Sequence, residues 1–179
     1  REFGLENVTL DPVAVKRWVP RNCSLTVWHD DTPGQPLSLP CFPVPFSGHT
    51  TGLEAELALA TGSADDDLAG KIAIAENRFL VLPQAVLAAF ARWVYDPEGE
   101  VPTHTQVLPF GGAFTNVMGT VIDRGATGFV GILRGLPWDT DRYYVPYDAE
   151  ERPIPGIWLS SRNGDQLLAF LAEGPARAR

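Results

Sequence analysis

The side chains that could do chemistry are few and scattered. Three histidines stand in His29-Asp30-Asp31, His49-Thr50-Thr51 and His104-Thr105-Gln106. None belongs to an HExxH run, which would set two ring nitrogens on one helical face for zinc and a glutamate beside its water. Cys23 and Cys41 lack metal-ligand spacing, and neither has an adjacent histidine to serve as the base a thiol nucleophile needs. One bridge between them is one reading, and two small buried hydrophobes the commoner one. No Gly-x-Ser-x-Gly elbow offers a serine. Asp65-Asp66-Asp67 supplies hard oxygen ligands without the spaced acidic loop and terminal glutamate of a calcium site, so it reads as a solvated turn. Gly111-Gly112-Ala113-Phe114 could turn free N–H groups toward an anion, but no Walker or dinucleotide pattern surrounds it, and helix entry is sufficient. Glu150-Glu151, followed by Arg152-Pro153, reads as solvated loop charge.

One segment has the composition of a binding surface. Between Arg134 and Arg152, Trp138, Tyr143, Tyr144 and Tyr147 are interspersed with Asp139, Asp141, Arg142 and Asp148. Apolar bodies with polar tips suit contact with a partner. The alternative is that these aromatics fold back onto the domain's own sheet.

The elements that must position this loop follow from periodicity and punctuation. With 179 residues, 45% of them apolar, the chain can bury one substantial core. Seven prolines from Pro12 to Pro45 exclude long helices and central strands there, leaving an extended segment, 1–45. Within it Leu25-Thr26-Val27-Trp28 runs into a turn composition, His29 to Gly34, and predicts an edge hairpin. A half-buried strand follows from Leu53 to Ala60, with Leu53, Ala55, Leu57 and Leu59 on one face, and a covered strand at Ile72–Ala75. Helical spacing predicts a helix over 83–95, with Val86, Leu87, Phe90 and Val94 on one face, and a second over 114–124 closed by Gly125. Strands at 129–133 and 156–160 and a last helix capped by Ser161 or Asn163 complete the order of a parallel crossover fold. Residues 175–179 read as a tail, its last four frayed.

Charge narrows the partners. The formal net charge is -8, which repels phosphate backbones, and no basic stripe with interleaved aromatics appears, so no nucleic acid is expected. The longest apolar stretch, Leu80 to Val94, is broken by Pro83, Gln84 and Arg92 and falls short of the roughly 20 residues of a membrane span. Twelve arginines against two lysines are the bias of a GC-rich, bacterial coding sequence.

Three segments in order carry a resemblance. Asp67-Leu68-Ala69-Gly70-Lys71-Ile72-Ala73-Ile74-Ala75-Glu76, then Val121-Ile122-Asp123-Arg124-Gly125-Ala126-Thr127-Gly128-Phe129-Val130, then Ile154-Pro155-Gly156-Ile157-Trp158-Leu159-Ser160 with Gly164, Leu167 and Leu168 resemble the protease-associated (PA) domain. The segments from Gly4 to Trp18 and from Pro43 to Gly52 look like those preceding this domain in zinc aminopeptidases of the M28 type. A 31-residue stretch, Leu80 to Phe110, departs from the family as an insertion, and the cysteine and phenylalanine pattern often found after the family's first strand is missing.

The resemblance implies an α/β fold of the swivelling β/β/α type, with β-barrel-like sheets flanked by helices, over residues 46–174 with the insertion at 80–110. It also implies a secreted or cell-associated protein that is non-catalytic by itself, with zinc only in an attached catalytic domain and no cofactor in this chain. The three histidines do not supply the ligand set an M28 centre needs. The expected partners are the parent peptidase domain and peptide or protein substrates. Two other readings stand beside it: a free-standing peptide- or carbohydrate-binding protein, and an enzyme on a related swivelling fold.

Overall fold

The computed structural model describes residues 4, 9–31, 35–100, 105–108, 117–146 and 148–179. Among these lie ten strands: β1 (Leu25–Trp28), β2 (Leu37–Leu39), β3 (Phe42–Pro43), β4 (Ala55–Leu59), β5 (Ile72–Arg78), β6 (Leu80–Pro83), β7 (Thr105–Leu108), β8 (Gly128–Arg134), β9 (Gly156–Leu159) and β10 (Arg177–Ala178). Three helices accompany them, α1 (Gln84–Phe90), α2 (Val117–Asp123) and α3 (Ser161–Ala172). Eight strands make one mixed sheet in the order β2-β1-β10-β4-β5-β8-β9-β3, while β6 and β7 pair separately and antiparallel. The centre, β4 through β9, is parallel, and the flanking pairings are antiparallel.

Chain connectivity forces this sheet to curl. β2 and β3 occupy opposite edges, and laid flat the seven gaps of about 4.8 Å between eight strands would hold those edges about 34 Å apart. Only Pro40 and Cys41 separate Leu39 from Phe42, a link that spans at most about 11 Å. The edges therefore approach each other, and the sheet is a half-barrel with a seam at Pro40-Cys41. Asn163 of α3 donates its side-chain N–H to the Pro40 carbonyl at 3.0 Å, tying a helix to that seam. This is the α/β, barrel-like architecture expected from the sequence.

Each face of the sheet is covered. Val130 and Ile132 of β8, with Ile72 and Ile74 of β5, face the cluster that holds Leu25, Val27, Leu39, Leu159 and Leu167 of α3. The alternate residues Phe129, Leu133, Ala73 and Ala75 face Met118 and Val121 of α2. Because both faces are buried, β8 reads as a continuous apolar run rather than an alternation. Gly131 lies under Trp158: a Cβ there would stand 2.0 Å from the indole Cζ3. Gly125, at φ +81, closes α2 in the left-handed conformation expected of it.

Four expectations are corrected. The residues read as a frayed tail form β10, which lies between β1 and β4, with Ala176 and Ala178 fully buried. Arg179 and Thr26 exchange two backbone hydrogen bonds of 2.9 Å. A two-residue strand carries no readable alternation and exists because two neighbouring edges offer it donors and acceptors. The helix expected over 83–95 is confined to Gln84–Phe90, and Pro83 instead ends β6, opposite Thr105. No residue of α1 is buried, and Val86, Phe90 and Val94 are exposed: apolar spacing favours a helix but cannot provide a layer to cover it. The cap of α3 is Ser160, whose hydroxyl accepts from the Asn163 N–H, rather than Ser161 or Asn163. Leu59, expected on the buried face of β4, is 48% exposed at the strand's end.

Candidate functional site

The loop between β8 and β9 leaves the sheet where Phe79 N–H donates to the Arg134 carbonyl at 2.8 Å. Arg134 itself is a clamp. Its guanidinium contacts Glu76 at 2.8 Å and Asp165 at 2.7 Å, and donates to the Ser161 hydroxyl at 2.6 Å, so the end of β8 is locked to the start of α3. Burial works to raise the Glu76 carboxyl, but Arg134 and Arg78 hold it below the usual carboxylate value.

Asp139 fixes the next part of the loop. One carboxylate oxygen accepts from the Arg162 backbone N–H at 3.0 Å and the other from the Ser160 hydroxyl at 3.1 Å. A negative charge at the positive end of α3 is a favourable placement, and it leaves the preceding Trp138 61% exposed. Further along, Trp158 donates its indole N–H to the Val145 carbonyl at 3.0 Å. Arg152, buried, closes the loop through Asp148 at 2.6 Å and through its backbone N–H to the Phe46 carbonyl at 2.9 Å. Burial opposes ionisation of Asp148, yet the Arg152 guanidinium and the Glu150 N–H keep its carboxyl below the usual value.

Of the four aromatics singled out in the sequence, the three among the described residues, Trp138, Tyr143 and Tyr144, do not share one cluster. Trp138, next to the Asp139 anchor, is mostly exposed. Tyr143 packs edge-on against Phe79, with ring centres 5.1 Å apart, and joins the α2 side of the core. Tyr144, 53% exposed, meets Trp18 at 6.1 Å and Phe42 at 5.8 Å, and those two rings lie 6.2 Å apart. Tyr147 lies outside the described residues. Sequence reasoning missed Trp18 and Phe42, which stand in the proline-punctuated segment. The available signal was a tryptophan in an extended stretch with no periodic neighbours to share a core.

This aromatic triangle borders a groove of about 840 Å³ lined by Trp18, Arg21, His49, Leu53, Phe129 and Ile157. The groove lies at the amino ends of β5, β8 and β9, whose first residues Ile72, Gly128 and Gly156 line it. Ligands of open α/β sheets bind beyond the carboxyl ends, and this groove instead lies between the N-terminal segment and the half-barrel, with both apolar and polar residues in its lining.

Several of the other candidate groups have structural partners. His29 stacks on Phe170 at 4.1 Å and donates from Nδ1 to the Pro175 carbonyl at 2.8 Å. His49 is exposed on the groove's rim, and His104 and Gly111–Phe114 lie outside the described residues. Asp66 accepts from the Thr61 hydroxyl at 2.7 Å and the Thr61 N–H at 2.8 Å, and pairs with Arg124 at 3.2 Å. The Thr61 hydroxyl leads in holding its carboxyl below the usual range. Asp67 pairs with Lys71, and Glu151 with Lys16. Among the described residues, no three His, Cys, Asp or Glu side chains converge as metal ligands, and no helix is long and apolar enough to cross a membrane.

No protein-family model and no curated protein matches the chain. Solved structures do. A peptidase M28 precursor from Shewanella amazonensis superposes on 99% of this chain with a TM-score of 0.57 and 16% identity, and the match takes in 37% of that protein. The zinc aminopeptidase BSAP from Bacillus subtilis matches 89% of this chain over 30% of its own, at 14% identity and a TM-score of 0.49. A subtilisin-like protease, Apa1, from an Antarctic Pseudoalteromonas covers 86% of this chain over 31% of its own, at 16% identity and a TM-score of 0.42. The likeness to the M28 precursor is one of fold. The chain spans about a third of the length of these proteins, and its half-barrel with flanking helices is the α/β fold that the resemblance to a PA domain implied.

Proposed function

We propose that this chain is a non-catalytic, protease-associated domain of a larger peptidase of the M28 type, where it governs substrate access, recruits substrates or holds domains together. The observation that carries the reading is the asymmetry of the structural match: nearly all of this chain corresponds to about a third of an M28 peptidase precursor. Zinc and the water it activates would belong to the attached catalytic domain.

The surface supports the same reading. Phe90, Trp93 and Tyr95 in the insertion are 87%, 75% and 72% exposed and close together in sequence. Exposed apolar side chains grouped in this way favour burial against another protein surface. Contact with the catalytic domain of the same polypeptide would cover them. A second reading, a free-standing peptide-binding protein, draws on Tyr144, Trp18 and Phe42 beside the groove.

The deciding experiment is the mass of the native gene product, followed from synthesis by pulse labelling and capture with an antibody against this chain. The domain reading expects a first-synthesised polypeptide much heavier than 19.5 kDa that carries zinc-dependent aminopeptidase activity. A first-synthesised product near that mass would overturn it in favour of the free-standing binder.

A further inference from the structure

The register of the β1–β2 hairpin runs Val27 to Leu37, Thr26 to Ser38 and Leu25 to Leu39. Continued by two residues, it sets Cys23 directly opposite Cys41. Opposed residues of an antiparallel pair have Cα atoms about 4.5–5.5 Å apart, inside the range of about 4.4–6.8 Å that a disulfide spans. The sulfurs agree with this placement. Cys23 Sγ and Cys41 Sγ are 3.5 Å apart, and the Cys23 thiol donates to the Cys41 carbonyl at 3.2 Å. Both thiols are free, Cys23 exposed and Cys41 half-buried.

We propose that Cys23 and Cys41 are a redox-responsive pair that closes into a disulfide under oxidising conditions and staples the seam of the half-barrel. Cys41 is one of the two residues that carry the chain from one edge of the sheet to the other, and Cys23 precedes β1 and lines the groove. A bond between them links the rim of the groove to the seam, where Asn163 already holds Pro40.

A small-molecule disulfide such as glutathione disulfide serves as oxidant. The exposed Cys23 thiol loses its proton to solvent and attacks one sulfur of the oxidant, whose S–S bond breaks and releases one small thiol. Cys41 then loses its proton and attacks the Cys23 sulfur of the mixed disulfide, expelling the second small thiol. Two protein thiols are oxidised and one small disulfide is reduced to two thiols. Burial, reinforced by Cys23 and the Asp141 carboxylate, pushes the Cys41 thiol up to about 12, which leaves the first step to Cys23.

The test uses the full chain, reduced and then either kept under dithiothreitol or incubated with glutathione disulfide. The oxidised protein is expected to be a monomer about 2 Da lighter than the reduced one, with no titratable thiol and a Cys23–Cys41 peptide in an unreduced digest. Closing the loop should raise Tm by about 5–10 °C. Cys23→Ser and Cys41→Ser should each keep the reduced Tm and carry at most one glutathione. A wild-type chain that retains two glutathiones, forms disulfide-linked dimers or keeps its mass unchanged would overturn the proposal. The outcome does not depend on whether the chain belongs to a peptidase.

Discussion

Ala178→Asp places a carboxyl inside the sheet at a position with no solvent exposure, between β1 and β4. A carboxylate without a partner there would take a proton rather than stay charged. Protonating it at pH 7 means working about three pH units above the ordinary aspartate value, at about 1.4 kcal/mol per unit, or about 4 kcal/mol. Fitting the larger side chain adds about 1–3 kcal/mol. The total is comparable with the 5–15 kcal/mol or so that holds a typical domain together. The folded-state pKa of the new group is raised, so its destabilisation is full well above that value and fades as pH falls toward the unfolded value near ~4. At pH 5 the ionisation cost should shrink to about 1.5 kcal/mol.

Urea denaturation followed by tryptophan fluorescence at both pH values measures the midpoint and its slope. Arg177→Ala is the control. It removes only the Arg177–Glu54 pair at 3.2 Å, both partners well exposed, and should cost less than about 1 kcal/mol. If Ala178→Asp matches wild type within about 0.5 kcal/mol, as a change on a loose surface segment would, then residues 177–178 are not a buried strand and the topology argued above is wrong.

Two further outcomes are expected. Gly131→Ala puts a Cβ within 2.0 Å of Trp158 Cζ3 and 2.8 Å of Phe129 Cε1; it should destabilise by about 1–3 kcal/mol and alter the near-UV circular dichroism as the indole loses its seat and its bond to Val145. Folded Asp66, Glu76 and Asp148 all bind protons less readily than their unfolded counterparts. Their contribution is therefore complete above the ordinary carboxylate range near ~4 and is lost as pH falls below it. Urea midpoints between pH 7 and pH 3 should fall at the acid end, and Asp66→Asn should make that fall shallower; an unchanged acid limb would remove Asp66 from this account.

Much of the fold was legible in the chain because its information is local. The continuous apolar run of β8, the alternation through Ala55 and Leu57, the spacing of Met118 and Val121 and the glycine that closes α2 each report the environment of one element, and each is found in place. So is the edge hairpin of β1 and β2. Where a feature depends on what lies across from it, the sequence is silent. Arg177-Ala178 is a strand only because β1 and β4 leave a slot between them. The face of α1 is apolar, yet no residue of the helix is buried among the described residues. Tyr144 was visible as a candidate, while its neighbours Trp18 and Phe42 stand more than a hundred residues away and meet it only once the sheet has curled. Cys23 and Cys41, eighteen residues apart, are opposed by the register of the β1–β2 hairpin. By itself the sequence determined the identity and order of most elements and the scarcity of catalytic motifs, because periodicity and side-chain chemistry are properties of short stretches. Tertiary structure alone decided the seam, the buried C-terminal strand, the groove and the aromatic triangle, because each comes from pairing between segments whose separation along the chain carries no trace of their contact.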